Sequence, residues 1–572
     1  MFVQCSIIQD QHKFKNFADL TRFLWVKFQL QTLCDEGIKR EKDVRIELEK
    51  NPTEIGQLYE SIFERIIRSG QSSREIAESV LRWLLVARRP LTIGAILEAV
   101  AEAEERVKRE EVLDVCRNLV IADDGTETFR FAHLSVQEFL EKREGYDPNA
   151  LHTFAALRCL EELASSRRER YDEKARPDPN AKSFYAYSVV NWIYHSLKVQ
   201  DRSEDLIEKL ESFLKDDDAF DDWNHDALES SERQGYFLSA VDAETPCLIG
   251  HKATQTFVIA KLGLINAFEE HSDLDWNYNN IKREAPIHVA AFSGNLEIVK
   301  RLVEEKEMDV NHQGDTTFSP LLAACVNGHK NVVEYLLSLD GVEVNCRSDF
   351  GKTPLIAAAK AGNHDLCRLL LAKGAFVDFQ APDDDTALIA AAEAGKLSTV
   401  QMMLKSRADV ETVGRFKRTA LLAAAIGREE QFHDIVRLLL RNGAGMDAQD
   451  SDGETALHSA ARAGDLDMVR LLISKKAKIN VKNDEGRSAL DFACGENHLE
   501  VIQYLLKHDA VCEPDASGRT ELHEIIGGHG KCDADTIKLF VSRGVNVNAT
   551  DDENISKCSI LCFRCRDGSY TH

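Results

Sequence analysis

A three-residue motif recurs through the second half of the chain: Thr or Ser, then Pro or Ala, then usually Leu. Successive copies are 32 to 36 residues apart, and an internal period of this size is typical of repeat proteins, whose units bury their apolar faces only against their neighbours. The eight copies, of which the first is degenerate, start at Ala285, Ser319, Thr353, Thr386, Thr419, Thr455, Ser488 and Thr520. The sequence therefore predicts a solenoid of stacked units rather than a single core.

Each copy continues in the same way. An Ala-rich stretch such as residues 321–324 is followed by Gly328 and by a second apolar run at residues 332–337 with helical i, i+3, i+4 spacing. Small residues let two helices approach closely, and the Gly supplies the turn between them. These units resemble ankyrin repeats over roughly residues 245–550, which implies about eight repeats of a helix–turn–helix unit.

Three copies of the motif include a histidine: His288, His458 and His523. The resemblance implies that Thr and His of the motif tie a turn to neighbouring backbone, so we expect a structural role rather than metal binding or catalysis. Cys325 and Cys494 occupy the small-residue face of their helices, where we expect buried packing.

One unit is longer than the others, with 36 residues between Thr419 and Thr455. A solenoid tolerates insertions only in loops, so we expect the extra residues, around 428–431, to bulge from the turn between the helices. The bulge is either a partner contact or a tolerated loop, and we favour the tolerated loop.

The ankyrin resemblance implies protein recognition through a concave surface formed by the turns and the first helices. The turn tips vary in sequence and supply the candidate partner-binding residues: Phe350, Asp383, Asp384, Arg415, Phe416, Lys417, Asp484 and Glu485. An aromatic side chain beside charge is typical of interface hot spots, yet Phe350 and Phe416 could equally pack on a neighbouring turn.

Residues 74–146 have the element order of a winged helix. We predict helices over residues 78–88, 92–103 and 110–118, with Thr92 as an N-cap, then strands at 119–122 and 128–131, and a helix from Ser135. Residues 74–144 contain 11 basic against 15 acidic residues, a net charge of −4, whereas DNA-binding domains present a basic face. A protein-binding or intramolecular role is therefore preferred over a DNA-associated regulator.

Residues 129–140, FRFAHLSVQEFL, resemble the winged-helix motif that follows NACHT nucleotide-binding modules in STAND-class signalling NTPases. His133 matches the family histidine that contacts the ADP phosphate in the resting state. Residues 1–70 resemble the end of the NACHT helical region of fungal NACHT–ankyrin proteins, and the segment around residues 187–195 resembles their helical linker. The resemblance implies an origin in nucleotide-switched signalling or self/non-self recognition.

The phosphate-binding loop of that class, G-x-x-x-x-G-K-[ST], does not occur in this sequence. Gly351-Lys352-Thr353 lies inside a repeat turn, and residues 119–124 imitate a Walker B strand but belong to the wing. We therefore expect no nucleotide or other cofactor, no enzymatic activity, and a packing role for His133. Either the gene model begins late, which would make this the regulatory and sensor part of an NTPase switch, or the NTPase core has been lost.

Composition limits the classes of partner and the cellular compartment that we expect for this chain. A net charge of −25 repels a phosphate backbone, which disfavours nucleic acid. The first residues lack a signal-peptide pattern, residues 184–197 are too short to span a bilayer, and the 14 cysteines are scattered as in a reducing compartment. We expect a soluble protein of the cytoplasm, or of the nucleus.

The last residues depart from the repeat. Cys558, Cys562 and Cys565 form a C-x₃-C-x₂-C cluster with His572 as the nearest further ligand, but zinc normally takes four ligands. We favour an irregular end of the gene model over a metal site.

The sequence predicts a mainly α fold, an ankyrin-repeat solenoid preceded by a small winged-helix domain and helical segments. The expected division is a NACHT-type remnant at residues 1–70, the winged helix at 74–146, a helical linker at 147–244, repeats at 245–550 and a tail at 551–572. The oligomeric state and the partner are left open.

Overall fold

The computed structural model describes residues 55–101, 107–117, 119–165, 183–233, 255–271, 273–277, 279, 284–314, 318–348, 351–379, 385–512, 521, 525 and 534–545. The described chain is mainly helical, with a two-stranded hairpin in its first part and a solenoid in its second, which confirms the predicted fold class. It divides into two compact units between Gln255 and Thr256.

The first unit begins with helices around a small hairpin. Its elements are α1 (Ile55–Ile67), α2 (Gln71–Val86), α3 (Ile93–Val100), α4 (Arg109–Val115), β1 (Val120–Asp123), β2 (Thr128–Phe131) and α5 (Leu134–Leu140). The strands are antiparallel, with Val120 opposite Phe131. Thr92 caps α3 as predicted, because its side chain accepts a hydrogen bond from the Ala95 N–H at 3.2 Å.

The helix boundaries differ from the predicted ones for local reasons. Helix α2 starts at Gln71, seven residues before the predicted start, and stops at Val86 because Ala87 is extended. Helix α3 stops at Val100, where Ala101 is extended. Helix α4 ends at Val115 rather than at residue 118, since Arg117 has a left-handed backbone (φ 49°) that cannot continue a right-handed helix.

Four longer helices complete the described part of the first unit: α6 (Pro148–Ser165), α7 (Phe184–Lys198), α8 (Glu204–Lys215) and α9 (Asp217–Arg233). Helix α7 is buried on almost every side, which explains its apolar sequence. Its Trp192 packs edge-on against Trp223 and Phe213, with ring centroids 5.4 and 5.3 Å apart. No helix of the described residues is long and apolar enough to cross a membrane.

The second unit is built from pairs of antiparallel helices. Its elements are α10 (Gln255–Leu262), α11 (Ile265–Glu270), α12 (Pro286–Ser293), α13 (Leu296–Glu304), α14 (Pro320–Asn327), α15 (Lys330–Leu336), α16 (Pro354–Ala361), α17 (His364–Ala372), α18 (Ala387–Glu393), α19 (Leu397–Lys405), α20 (Ala420–Ala424), α21 (Glu430–Arg441), α22 (Ala456–Ala463), α23 (Leu466–Ser474), α24 (Ala489–Gly495), α25 (Leu499–Lys507) and α26 (Ala534–Ser542).

In most of the described repeats the recurring motif places a hydroxyl cap at the start of the first helix. The hydroxyl of Thr353 accepts from the Ile356 N–H at 3.3 Å, and Ser319, Thr386 and Thr419 repeat this bond. Pro354 follows at the first helical position, where its missing N–H costs nothing. The helix ends at Gly362, whose φ of 75° makes the turn to the second helix.

Two rows of side-chain hydrogen bonds join successive repeats. In the first row, an Asn or Asp carbonyl or carboxylate oxygen accepts from a backbone N–H of the next repeat at 2.9 to 3.0 Å: Asn311 from Glu343, Asn345 from Phe376, Asp378 from Asp409, Asp447 from Lys478 and Asn480 from Val511. In the second row, a side chain donates to a carbonyl of the previous repeat: Asn295 to Ala260, His329 to Phe292, Asn363 to Gly328 and His498 to Arg462. These bonds join each of these repeats to its neighbour.

The long unit accommodates its extra residues in both the turn and the second helix. Helix α20 has only five residues, and α21 has twelve. Of the predicted bulge, Arg428 and the following residue lie in the turn, whereas Glu430 and Gln431 already belong to α21. The prediction of a bulge confined to the turn is therefore wrong. The cause is local: Phe432 lies where a Cβ at Gly427 would be, and it covers Gly395 of the previous repeat.

Candidate protein-binding surface

The loops that precede the first helices present turn tips, and we call each such loop a finger. The fingers that are described throughout are residues 412–418, 448–454 and 482–487. Gly453 and Gly486 form the tips of the last two with φ of 74° and 78°. Both glycines lie two residues before the Thr or Ser of the repeat motif, and we call this the register position. In the first of these fingers the register position is Lys417.

The finger at residues 412–418 contains three of the predicted partner-binding residues. Phe416 is 60% exposed, and the guanidinium carbon of Arg415 lies 5.4 Å from its ring centroid. The Phe416 carbonyl accepts a hydrogen bond from the Ser451 N–H of the next finger at 2.7 Å. The backbone of Phe416 therefore contacts the neighbouring turn, while its ring stays open to solvent.

The predicted acidic tip is also at the surface. Asp484 and Glu485 are exposed. The Asp484 N–H donates to the Asp452 carbonyl at 3.0 Å, so these two fingers adjoin, and Glu485 pairs with Arg487 at 3.4 Å. The remaining predicted contact residues, Phe350, Asp383 and Asp384, lie outside the described residues.

Sequence inspection missed two exposed apolar side chains outside the fingers. Phe376 is 63% exposed, and Ile426 follows the shortened helix α20 at an exposed position. A signal for Phe376 exists in the repeat register, because the equivalent residues of later repeats are Asp409 and Lys478. A position that is charged in several repeats lies at the surface, so a large apolar residue there is a surface feature rather than a core residue.

The two described motif histidines are structural, as predicted. His458 accepts from the Thr455 N–H through Nδ1 at 3.0 Å, and its Nε2 lies 3.2 Å from the Arg487 carbonyl of the next repeat. His288 makes the same pair of contacts, to Ala285 and His312. Burial lowers the pKa of both imidazoles, which keeps them neutral. His523 lies outside the described residues.

The chemistry-bearing side chains of the described residues do not assemble into a metal site, since no group of three or more His, Cys, Asp or Glu is placed to hold an ion. Cys325 and Cys494 are fully buried, as predicted, and burial raises the pKa of the Cys325 thiol well above its usual value. A thiol in that state is a poor nucleophile. The cluster at Cys558, Cys562, Cys565 and His572 lies outside the described residues.

His133 caps helix α5. Its Nδ1 accepts from the Ser135 N–H at 3.2 Å and lies 2.8 Å from the Ser135 hydroxyl, which in turn contacts the Tyr59 hydroxyl at 2.8 Å. A structural role explains the position of this side chain. The two sequence imitations of nucleotide motifs also have structural roles: Gly351 (φ 75°) belongs to a turn before helix α16, and residues 120–123 are the first wing strand.

The wing does not offer a basic face to a phosphate backbone. Arg109 pairs with Asp124 at 2.6 Å, and Arg130 pairs with Asp123 at 3.3 Å. Both pairs join an arginine to an acidic residue of the wing itself, which partly neutralises the charge that DNA contacts require.

Comparison with known proteins agrees with both parts of this architecture. A family model described as "Ankyrin repeats (3 copies)" matches residues 257–348, 338–414, 409–483 and 476–551. A model described as "GPI inositol-deacylase, winged helix domain" matches residues 64–151. Among solved structures, the human ASB11 ankyrin repeat domain is 29% identical, with a TM-score of 0.35, over 40% of this chain and 99% of that one. No curated protein matches the chain.

Proposed function

This chain belongs to the ankyrin-repeat family, and on that premise we propose that it is a protein-interaction scaffold whose repeats bind a protein partner. The observation that carries the proposal is the finger at residues 412–418, which exposes Phe416 between Arg415 and Lys417. Stacked repeats bury their core between neighbours and leave the fingers and first helices as a continuous concave surface. The contact residues of the proposal are Phe350, Asp383, Asp384, Arg415, Phe416, Lys417, Asp484 and Glu485.

The proposal extends to the organisation of the whole chain. It divides into a NACHT-type helical segment at residues 1–70, a winged helix at 74–146, a helical linker at 147–244, repeats at 245–550 and a tail at 551–572. The winged-helix match at residues 64–151 supports the second segment. In this proposal the protein derives from a NACHT-type recognition protein, acts in the cytoplasm or nucleus, and uses its repeats as the sensor.

The test is partner capture by the full chain and by a variant with the side chains of one finger removed, Arg415→Ser/Phe416→Ser/Lys417→Ser. Proteins retained by the unaltered chain are purified and titrated against both. The expected result is saturable binding with a micromolar or lower Kd that weakens at least tenfold in the variant. Equal melting curves establish that the variant is folded. Equal affinity for both chains would place the contacts elsewhere, and no saturable partner would contradict the scaffold function.

A second candidate function is the regulatory and sensor part of a nucleotide-switched STAND protein. The observation that favours it is His133, whose Nδ1 caps helix α5 while its Nε2 makes none of the hydrogen bonds seen among the described residues. Melting of the full chain is measured with and without millimolar ADP. A rise in Tm that disappears in His133→Ala supports this candidate. An unchanged Tm removes a self-contained nucleotide switch.

A further inference from the structure

The tip of the finger at residues 412–418 turns without a glycine in the left-handed conformation. Phe416 and Lys417 are consecutive residues with left-handed backbone, at φ of 59° and 54°. Residues with a Cβ adopt this conformation at a cost, and strained surface positions are typical of binding sites. The fingers that follow avoid the cost with Gly453 and Gly486 in the register position of Lys417.

The strained tip is held in place by its neighbours. Within the finger, the Gly414 N–H donates to the Arg418 carbonyl at 2.7 Å. The Asp385 carboxylate accepts from the Arg415 N–H at 3.1 Å, and the Ser451 N–H donates to the Phe416 carbonyl at 2.7 Å. Bonds to the previous and the next finger thus fix the backbone before any partner arrives, which lowers the entropy cost of binding.

The fixed tip presents an aromatic ring and positive charge. Phe416 is exposed, and Arg415, Lys417 and Arg418 take part in none of the ion pairs formed among the described residues. These three positive charges form a basic cluster in a chain whose net charge is −25. An apolar side chain next to a carboxylate is the chemistry that complements this tip.

The tips of the next two fingers carry acidic residues, of which Glu485 is paired with Arg487 of its own finger. Asp452 is exposed at the tip of the first, and Asp484 and Glu485 are exposed at the tip of the second. A wholly acidic segment that continued along the fingers would be repelled there. Basic side chains must therefore follow the carboxylate if one segment crosses all three fingers.

The spacing of the charges follows from the packing. Neighbouring helices pack at about 8–10 Å, and an extended chain rises about 3.3 Å per residue, so about three residues span one repeat. We propose that the partner segment is extended and carries an acidic residue beside a large apolar one, with basic residues about three and six positions away on one side. This rests on the proposed function, because it specifies what the finger surface binds.

The experiment selects from a phage library of random linear peptides on the immobilised full chain. The same library is selected in parallel on two variants with the same change in net charge. Arg415→Glu/Lys417→Glu reverses the charge of the finger tip. Arg368→Glu/Lys405→Glu is the matched control, since both residues lie on second helices rather than on a finger. Circular dichroism and Tm are recorded for all three chains.

The expected peptides have the proposed order of charges, and synthetic copies bind the unaltered chain and the control equally but the tip variant at least tenfold more weakly. Exchange of the peptide's acidic residue for Lys restores binding to the tip variant at least in part. Phe416→Ala weakens binding tenfold or more as well. Enriched peptides with another charge order, or with equal affinity for the tip variant, overturn the inference but leave the scaffold function standing. Failure to enrich any peptide counts against both.

Discussion

The imidazole Nε2 of His433 lies 2.8 Å from Oδ2 of Asp465, and both side chains are nearly buried. His433 belongs to the lengthened helix α21, and Asp465 caps helix α23 of the next repeat by accepting the Met468 N–H at 2.9 Å. One carboxylate therefore caps its own helix and binds the neighbouring repeat. The second helix of the long unit therefore contributes to stacking through His433.

His433→Ala should lower the free energy of unfolding by about 1–3 kcal/mol, because it leaves an oxygen of Asp465 without its partner in a nearly buried place. Urea unfolding of the full chain followed by far-UV circular dichroism measures the change. Asp434→Ala is the matched control on the same helix, since its pair with Arg437 is exposed, and it should stay within about 0.5 kcal/mol. Equal effects of the two substitutions would contradict the role given to His433.

Leu421→Ala should lower stability by about 2–5 kcal/mol, because Leu421 is 1% exposed in the first helix of a central repeat and its removal leaves a cavity. Phe376→Ala removes a larger side chain from an exposed site and should change stability by less than about 0.5 kcal/mol. The same unfolding experiment measures both. A loss under about 0.5 kcal/mol for Leu421→Ala would mean that this repeat is packed differently.

Lys417→Gly and Gly453→Ala alter the same register position of adjacent fingers and should act in opposite directions. Glycine relieves the left-handed strain at residue 417 and stabilises the chain by about 1 kcal/mol. Alanine at residue 453 would have φ near 74° and a Cβ 2.9 Å from the Asp484 backbone nitrogen, so it should cost more than about 1 kcal/mol. Thermal melting measures the sign of the stability change in each variant. Destabilisation by Lys417→Gly would show that the tip is not strained.

The stability of the first unit should fall as the pH falls below about 6.5, and His195 is one cause. Its Nε2 lies 2.8 Å from the Tyr187 hydroxyl, and its Nδ1 lies 2.9 Å from Nδ1 of His152. Burial, and then the positive charge of His152 and Arg88, lowers the pKa of His195 from 6.5 to about 3. The unfolded chain therefore binds the proton first.

The stability contributed by the neutral His195 is fully present above pH 6.5 and is lost progressively as the pH falls toward 3, at about 1.4 kcal/mol per pH unit. Urea unfolding at pH 7, 6 and 5 measures the slope. His195→Gln keeps a hydrogen-bonding side chain but does not titrate, so its slope should be shallower by about one proton. Equal slopes in both chains would contradict the burial of a neutral imidazole.

The repeat register could be predicted almost completely from the sequence. Eight copies of one motif fix the start of each first helix, and the hydroxyl caps at Ser319, Thr353, Thr386 and Thr419 lie where the motif puts them. The sequence period predicts the helix positions here because each repeat packs against its neighbours in the same way. The hairpin was equally readable, because the turn residues Asp123, Asp124 and Gly125 separate two β-prone segments.

The features that single out one finger were harder to predict. The count of residues shows that one unit is longer, but not that the excess would be divided between a turn and helix α21. The strain at Phe416 and Lys417 depends on a turn that neighbouring fingers hold by hydrogen bonds. Its sequence signal is the lysine at a position where Gly453 and Gly486 stand in later repeats.

The central claim is that the fingers of the repeats are the binding surface, and hydrogen–deuterium exchange tests it most directly. Exchange of the full chain is followed by mass spectrometry with and without a saturating peptide selected from the random library. The account predicts slower exchange at residues 412–418 and 448–454, with no such change in Arg415→Glu/Lys417→Glu. Protection confined to the second helices or to residues 55–233 would contradict it.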